Sequence, residues 1–222
     1  MMRESHDPDR IAVFDVDRTL LVKTSAEEQL IRFLRQRKML PLFNFVRGLF
    51  MVIRKLPRGM EEVIQRKSIY LSGLDVKDIQ SLLPEFVANY LQPCLSPSVL
   101  EYVRMLKDKA YEIILISGSL DFLVHCLVVH LGADGGVGSK MEIRDGKFTG
   151  RIVGIHPYYY GKVMALQKYL EGREIDYLQS YSFGDSWRDI PLLSLFGHPV
   201  VVNPGRIMKK KAQERGWKII HD

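Results

Sequence analysis

Several short apolar segments of this sequence stop abruptly at small polar or acidic residues, and segments of helical periodicity separate them. The apolar segments are IAVFDV at 11–16, YEIILISGS at 111–119, YLQSYSFGDS at 177–186 and HPVVVNP at 198–204. Runs of this length and composition are typical of strands that are buried on both faces. Strands that alternate with helices build an open, mostly parallel sheet. We therefore predict an α/β fold.

One block of the sequence, at 24–91, has helical periodicity and no strand pattern. Prolines and glycines divide the block into stretches, of which the last three cover 40–53, 61–71 and 76–90. Prolines and glycines at such intervals are typical of consecutive helices joined by turns. We predict that 24–91 is an all-helical domain inserted into a core domain formed by 1–23 and 92–222.

The predicted core domain contains further helices and one hairpin. The helices are expected at 96–109, 121–131, 162–170 and 206–216. The hairpin is expected at about 139–154, because alternating residues flank the turn dipeptide Asp145-Gly146. An Asp-Gly pair between alternating segments is a strong short-range signal for a two-residue hairpin loop.

Three of the predicted strands run directly into residues that carry chemistry. These residues are Asp15 and Asp17 after the first strand, Ser117 and Gly118 after the second, and Asp185 and Asp189 after the third. Ligands of an open parallel sheet bind beyond the carboxyl ends of its strands. Because a half-buried carboxylate costs free energy unless a cation or hydrogen-bond donors compensate it, this pattern predicts a functional site.

The same residues fall into four short motifs, DVDRT at 15–19, ISGS at 116–119, Lys162, and GDSWRD at 184–189. In order and spacing these motifs resemble those of the haloacid dehalogenase superfamily of phosphohydrolases. The helical insert resembles the cap, of the C1 type, in its phosphoserine-phosphatase-like branch, subfamily IB. The resemblance implies a Rossmann-like parallel-sheet core, an inserted all-helical cap and a magnesium-dependent phosphatase.

Three aspartates are assigned to the chemical steps and the metal. A carboxylate can attack an anionic phosphate ester when a divalent cation reduces their repulsion, and hard oxygen ligands select Mg²⁺. Asp15 would attack phosphorus and form an aspartyl-phosphate, while Asp17 would act as general acid and then as general base. The resemblance implies that the backbone carbonyl of Asp17 completes a metal shell formed with Asp15 and Asp185.

The remaining motif residues are predicted to bind phosphate or to support the site. Thr19, Ser117 and Gly118 are expected to contact phosphate oxygens, and we expect Ser117 and Gly118 to open a helix, whose N-terminal amides bind anions. Lys162 would neutralise both Asp15 and the transferred phosphoryl group. Asp189 would hold Lys162 or a metal-bound water.

The predicted cap carries the information on substrate choice. Phosphoserine phosphatases have a glutamate at the position of Thr24, and the nearest acids here, Glu27 and Glu28, lie a turn later. We therefore expect a small phosphorylated metabolite other than L-phosphoserine, or a lipid phosphate. One interpretation of the apolar stretch at 41–57 is a helix that packs within the cap or in a homodimer. The other is a peripheral membrane contact that is flanked by cations.

Two other functions are compatible with parts of the sequence. A phosphotransferase or mutase would use the same phosphoaspartate, and a non-catalytic binding module would keep only the fold. The net charge of +6 suits anionic partners. The Lys209–Lys211 cluster fits a solvated helix face, however, and no motif for nucleic acid accompanies it. His156 fits either a structural loop or the substrate rim, and Arg18 receives no role.

The cysteines and the first residues predict where the protein works. Cys94 and Cys126 have no CxxC spacing, so neither a disulfide framework nor a zinc site is expected. The polar start of the sequence does not resemble a signal peptide, and no apolar run is long enough to span a bilayer. We expect a cytoplasmic protein.

Overall fold

The computed structural model describes residues 9–40 and 68–222. Its centre is a seven-stranded sheet in the order β4-β3-β2-β1-β5-β6-β7. The strands are β1 (Ile11–Asp15), β2 (Glu112–Leu120), β3 (Gly135–Arg144), β4 (Lys147–Val153), β5 (Tyr181–Gly184), β6 (His198–Val202) and β7 (Lys218–Ile220). All neighbouring strands are parallel except β3 and β4. The predicted α/β class is confirmed.

Helices precede, follow and connect these strands. Among the described residues they are α1 (Ala26–Gln36), α2 (Val76–Phe86), α3 (Pro97–Asp108), α4 (Asp121–Leu131), α5 (Tyr160–Tyr169), α6 (Ile190–Leu193) and α7 (Arg206–Glu214). Single turns of 3₁₀ or π helix lie at Ile69–Leu71, Val87–Leu91, Gln92–Cys94 and Trp187–Asp189. No helix in the described part of the chain has the length and apolar character needed to cross a membrane.

Strand β1 lies in the middle of the sheet and is buried on both faces. Ala12 and Phe14 pack into one hydrophobic cluster, whereas Ile11 and Val13 pack into the cluster on the opposite face. The ring of Phe14 stacks on that of Phe183 in β5, with centroids 4.2 Å apart. A continuous apolar run suits this position because successive side chains point to opposite, equally dry faces.

The hairpin forms where its turn dipeptide predicted it. Asp145 and Gly146 have φ values of 50° and 74°. Positive φ at both central residues is the requirement of the type I′ turn that joins twisted antiparallel strands. Strand β3 starts earlier than expected, at Gly135. A methyl group on Gly136 would lie only 2.8 Å from side-chain atoms of α4. Glycine is needed for this close approach, and it hid the strand from pattern reasoning.

Strand β7 was not predicted. It has three residues, Lys218–Ile220, and only Ile219 and Ile220 are partly buried apolar residues. It forms by pairing with β6 at the edge of the sheet. An edge strand this short has too few residues to show a period-two pattern.

The described parts of the helical insert are consistent with an insertion. The chain enters and leaves it at adjacent points, because the Val22 amide donates to the Cys94 carbonyl at 2.7 Å. Helix α1 begins with a capping box between Ser25 and Glu28. The exact division into 24–91 and the core stays a prediction, and the apolar stretch 41–57 lies outside the described residues.

Candidate active site

The site lies at the carboxyl ends of three neighbouring strands. Strand β1 pairs with β2 on one side and with β5 on the other, so the segments that follow these strands meet at one edge of the sheet. The start of helix α5 adds Lys162 to the same place. Residues far apart in the sequence therefore form one cluster.

Lys162 is the centre of this cluster. Its side chain is buried, and its Nζ donates to Oδ1 of Asp15 at 2.5 Å and to Oδ1 of Asp189. Burial lowers the pKa of Lys162, but the carboxylates of Asp15 and Asp189 raise it by a larger amount. The pKa of Lys162 therefore lies above its ordinary value. The side chain is therefore an ammonium ion at neutral pH.

Asp15 is held at both of its oxygens. While Lys162 contacts Oδ1, the hydroxyl of Thr19 donates to Oδ2 at 2.8 Å. Burial raises the pKa of Asp15 strongly, Lys162 lowers it, and the neighbouring aspartates raise it again. One ammonium ion is thus not enough to balance the negative charge around Asp15. Thr19 orients the carboxylate here, and its predicted contact with phosphate stays a prediction.

Three carboxylates form a group that fits a divalent cation. Ligand atoms of Asp15, Asp185 and Asp189 lie within 4.8 Å of one another. Burial, followed by the charge of Asp189, raises the pKa of Asp185 to about 6. The shift means that the charges of Lys162 and Arg18 do not offset the effect of burial and of Asp189 on Asp185, and Mg²⁺ prefers oxygen ligands of this kind. Asp189 is fixed by the amide and the hydroxyl of Ser186, at 3.0 and 2.9 Å.

The carboxylate of Asp17 is bound by neutral donors. Its Oδ2 accepts from the hydroxyls of Ser117 and Ser119 at 2.9 and 2.7 Å, and its Oδ1 accepts from the amide of Ala26 at 2.9 Å. Asp17 therefore links the end of β2 to the first residue of helix α1. Ser119 was not singled out from the sequence, although it stands in the ISGS motif.

The expectation that Ser117 and Gly118 open a helix is wrong. Helix α4 begins three residues later, at Asp121. The pairing of β2 with β3 shifts between Ile116 and Leu120, where β2 advances four residues while β3 advances two. We call residues 117–119 the SGS bulge. A bulge re-aims side chains at the end of a strand, which explains how both serines reach Asp17.

Thr24 and the two glutamates near it make hydrogen bonds within the protein. The hydroxyl of Thr24 donates to Glu28 at 3.2 Å, and Glu28 also caps helix α1. The hydroxyl of Ser68 donates to Glu27 at 3.3 Å. Arg18 has φ 64° and lies 3.6 Å from Glu28, and its charge opposes the rise in the pKa of Asp185.

We expect Mg²⁺ to stabilise the protein, and to do so more strongly as the pH rises through about 6. The raised pKa values of Asp185 and Asp15 mean that the folded, metal-free protein holds protons that the unfolded chain releases. Its stability therefore falls as the pH rises, and Mg²⁺ must displace these protons to bind. At about 100 times its Kd, Mg²⁺ should raise the free energy of unfolding by about 2.7 kcal/mol.

The measurement is urea unfolding with Mg²⁺ or EDTA, at about pH 5 and about pH 8. Asp185→Asn should lose most of the Mg²⁺ effect at the higher pH, whereas Asp108→Asn, at an exposed position, should keep it. A Mg²⁺ effect of the same size in Asp185→Asn would contradict the assignment of this carboxylate to the metal.

Comparisons with known proteins agree with this geometry. The model of the haloacid dehalogenase-like hydrolase family matches residues 12–194. A histidinol-phosphatase from Neisseria meningitidis serogroup C is 26% identical over 219 residues, which cover 95% of this chain and 98% of that protein. The phosphoserine phosphatase SerB1 from Mycobacterium tuberculosis is 28% identical over 214 residues, which cover 94% of this chain and 69% of that protein.

A solved structure matches over nearly its whole length. It is a protein of unknown function from Bordetella pertussis Tohama I, with a TM-score of 0.81 and 26% identity over 96% of this chain and 99% of that one. The similarity therefore includes the core and the described parts of the helical insert.

Proposed function

This chain belongs to the haloacid dehalogenase-like hydrolase family, and we propose that it is a Mg²⁺-dependent phosphomonoester hydrolase acting through an aspartyl-phosphate on Asp15. The observation that carries the proposal is the position of Asp15. Its buried carboxylate lies between the donors of Lys162 and Thr19 and beside two more carboxylates. A carboxylate that served only as structure would not need this excess of negative charge.

The reaction would run in two steps on the residues described above. In the first, a carboxylate oxygen of Asp15 forms a bond to phosphorus, the ester P–O bond breaks, and Asp17 gives a proton to the leaving oxygen. In the second, Asp17 takes a proton from water as the water oxygen bonds to phosphorus. The bond between phosphorus and Asp15 then breaks and orthophosphate leaves.

Lys162 and the metal would divide the electrostatic work. The ammonium ion of Lys162 already contacts Asp15, so it can neutralise charge on the oxygens that the phosphoryl group brings. Asp15 and Asp185 would hold Mg²⁺, together with the backbone carbonyl of Asp17, and Asp189 would support them. When bound, the ion would withdraw negative charge from the phosphoryl group.

A small phosphorylated metabolite is the proposed substrate. Relatives of this chain are named for two such compounds, histidinol phosphate and phosphoserine. L-Phosphoserine is not expected to be preferred, because Thr24 occupies the critical position and Glu28 is engaged with it. A lipid phosphate substrate stays a prediction. The peripheral membrane contact and the homodimer also stay predictions, because they depend on residues 41–57, which lie outside the described residues. A cytoplasmic location is proposed from the free Cys94 and Cys126.

A phosphatase screen tests the proposal. Purified protein with Mg²⁺ is incubated with histidinol phosphate, L-phosphoserine, and sugar, nucleotide and lipid phosphates, and orthophosphate is measured. We expect release from at least one metabolite phosphate, no release in EDTA, and L-phosphoserine below the best substrate.

An added alcohol distinguishes hydrolysis from phosphotransfer. With glycerol present, a hydrolase gives orthophosphate as the main product, because water attacks the aspartyl-phosphate. Transfer of most of the phosphate to glycerol would favour the phosphotransferase alternative. Absence of Mg²⁺-dependent turnover across the whole panel would refute the proposed function.

A further inference from the structure

Two residues outside the four motifs contact the SGS bulge from the side of the hairpin. Ser139 is fully buried in β3, and its hydroxyl donates to the carbonyl of Gly118 at 2.7 Å. The same hydroxyl oxygen lies 2.6 Å from Nδ1 of His156, which follows β4. The first distance is typical of an O–H···O hydrogen bond, and the second is that of a short N–H···O hydrogen bond.

The number of protons decides the direction of these bonds. A serine hydroxyl has one proton, and a carbonyl can only accept, so the proton of Ser139 goes to Gly118. The bond to His156 must therefore be donated by Nδ1–H, with the serine oxygen as acceptor. Neutral imidazole with this tautomer and the imidazolium ion both supply that donor. The contact consequently does not depend on the charge of His156.

The ring of His156 is also fixed by packing. It stacks on the ring of Tyr158 with centroids 5.8 Å apart and planes 7° apart. A methyl group placed on Gly118 would lie 3.4 Å from Cε1 of His156, so the ring lies directly against the bulge. Ser139 and His156 thus form a rigid support behind Gly118.

Within the bulge, one peptide unit is held at both ends. Its carbonyl, on Gly118, accepts from Ser139, and its amide, on Ser119, donates to the hydroxyl oxygen of Ser117 at 2.9 Å. Ser117 and Ser119 in turn donate their hydroxyl protons to the same oxygen of Asp17. A continuous series of hydrogen bonds therefore runs from His156 to Asp17.

We propose that Ser139 and His156 are positioning residues, which hold the SGS bulge so that its two hydroxyls aim the carboxylate of Asp17 at the leaving group. The inference rests on the proposed function, because it assumes that Asp17 gives a proton to that group. It makes the hairpin part of the active site, since Ser139 lies in β3 and His156 follows β4. Small displacements of a catalytic group lower rates strongly.

The test compares two substrates of similar shape, p-nitrophenyl phosphate and phenyl phosphate. The p-nitrophenolate ion leaves readily without a proton, whereas phenolate is more basic and depends on a general acid. We expect Ser139→Ala to lower kcat/KM for phenyl phosphate by about tenfold, and for p-nitrophenyl phosphate by less than about threefold. A general loss of packing would lower both rates equally.

Two further variants and one control make the test specific. His156→Leu, which removes the donor to Ser139, should show the same selective loss to a smaller extent. His156→Asn, which can place an N–H near the position of Nδ1, should restore most of the activity. Ser182→Ala is the matched control, because Ser182 is equally buried and its hydroxyl has no hydrogen-bond partner in the described part of the chain.

The outcomes separate this inference from the proposed function. Equal losses for both substrates, or wild-type rates in Ser139→Ala, would overturn the inference while Mg²⁺-dependent turnover still supported the proposed function. If Ser139→Ala does not fold, the comparison of His156→Leu with His156→Asn decides in the same way. A selective loss with phenyl phosphate, reversed in His156→Asn, would support the positioning role.

Discussion

Asp15→Asn is expected to abolish turnover and to leave the protein folded. The amide keeps the shape of the carboxylate, its oxygen can accept from Lys162 and its NH₂ group can donate to the hydroxyl of Thr19, but it is not a nucleophile. Loss of a covalent nucleophile lowers kcat by a factor of at least about 10⁴. Lys162 keeps Asp189 as its buried counter-ion in this variant, and the desolvated charge of Asp15 is removed, so the free energy of unfolding in EDTA should change little.

The controls for Asp15→Asn address folding and contamination. Asp108→Asn, at an exposed position, should retain wild-type kcat. Orthophosphate binding can be followed by the fluorescence of Trp187, which is 43% exposed and stands two residues before Asp189, in a Trp217→Phe background. Mass spectrometry must show that residue 15 has not deamidated. Wild-type turnover in a preparation free of deamidation would refute the role of Asp15.

Lys162→Met is expected to lose both activity and stability. The replacement keeps much of the volume of the buried stem, so the effect of the charge is isolated from that of a cavity. Without Lys162, the carboxylates of Asp15 and Asp189 lose their common partner. Breaking a buried ion pair by removing one partner costs about 3–5 kcal/mol, and kcat should fall by about 10³ or more.

The stability loss in Lys162→Met should depend on pH in a defined direction. Lys162 lowers the pKa of Asp15, so its removal lets burial raise that pKa further. A carboxyl group whose pKa is higher in the folded state stabilises the fold in acid and loses this contribution as the pH rises. Urea unfolding in EDTA should therefore show a larger deficit at about pH 8 than at about pH 5.

Lys168→Ala is the matched control for Lys162→Met, since Lys168 is exposed on the same helix. Its free energy of unfolding should stay within about 0.5 kcal/mol of wild type at both pH values. A deficit in Lys162→Met that shrinks as the pH rises would contradict the electrostatic explanation.

The strands that carry the site could be predicted from the sequence because their patterns are local. Ile11–Asp15 is buried throughout, and the apolar run records this directly. The same holds for β2, β5 and β6, and for the Asp-Gly turn of the hairpin. Only the first part of strand β3 was not predicted, because it contains glycines such as Gly136, which packs closely on α4. Strand β7 was not predicted because three residues are too few to show the alternation of a strand.

The site was predicted in part, and the missing part has a physical cause. Asp15 ends β1, and Asp185 and Asp189 follow β5, so topology alone brings them to one edge of the sheet. Lys162 was assigned through a family resemblance, because one lysine at a helix start has no pattern of its own. Ser139 was not singled out, and His156 was left between a structural loop and the substrate rim, because neither belongs to one of the four motifs.

What the sequence determined by itself is the identity of the strands that lead to the site, their order along the chain and the chemistry available where they end. What only the tertiary structure decided is which side chains meet. Lys162 contacts Asp15 across 147 residues of chain, and Ser139 reaches Gly118 across 21. Such contacts depend on strand register, and a slip of one residue would turn Ser139 to the other face. Local periodicity reports burial, but it contains no information on register between distant strands.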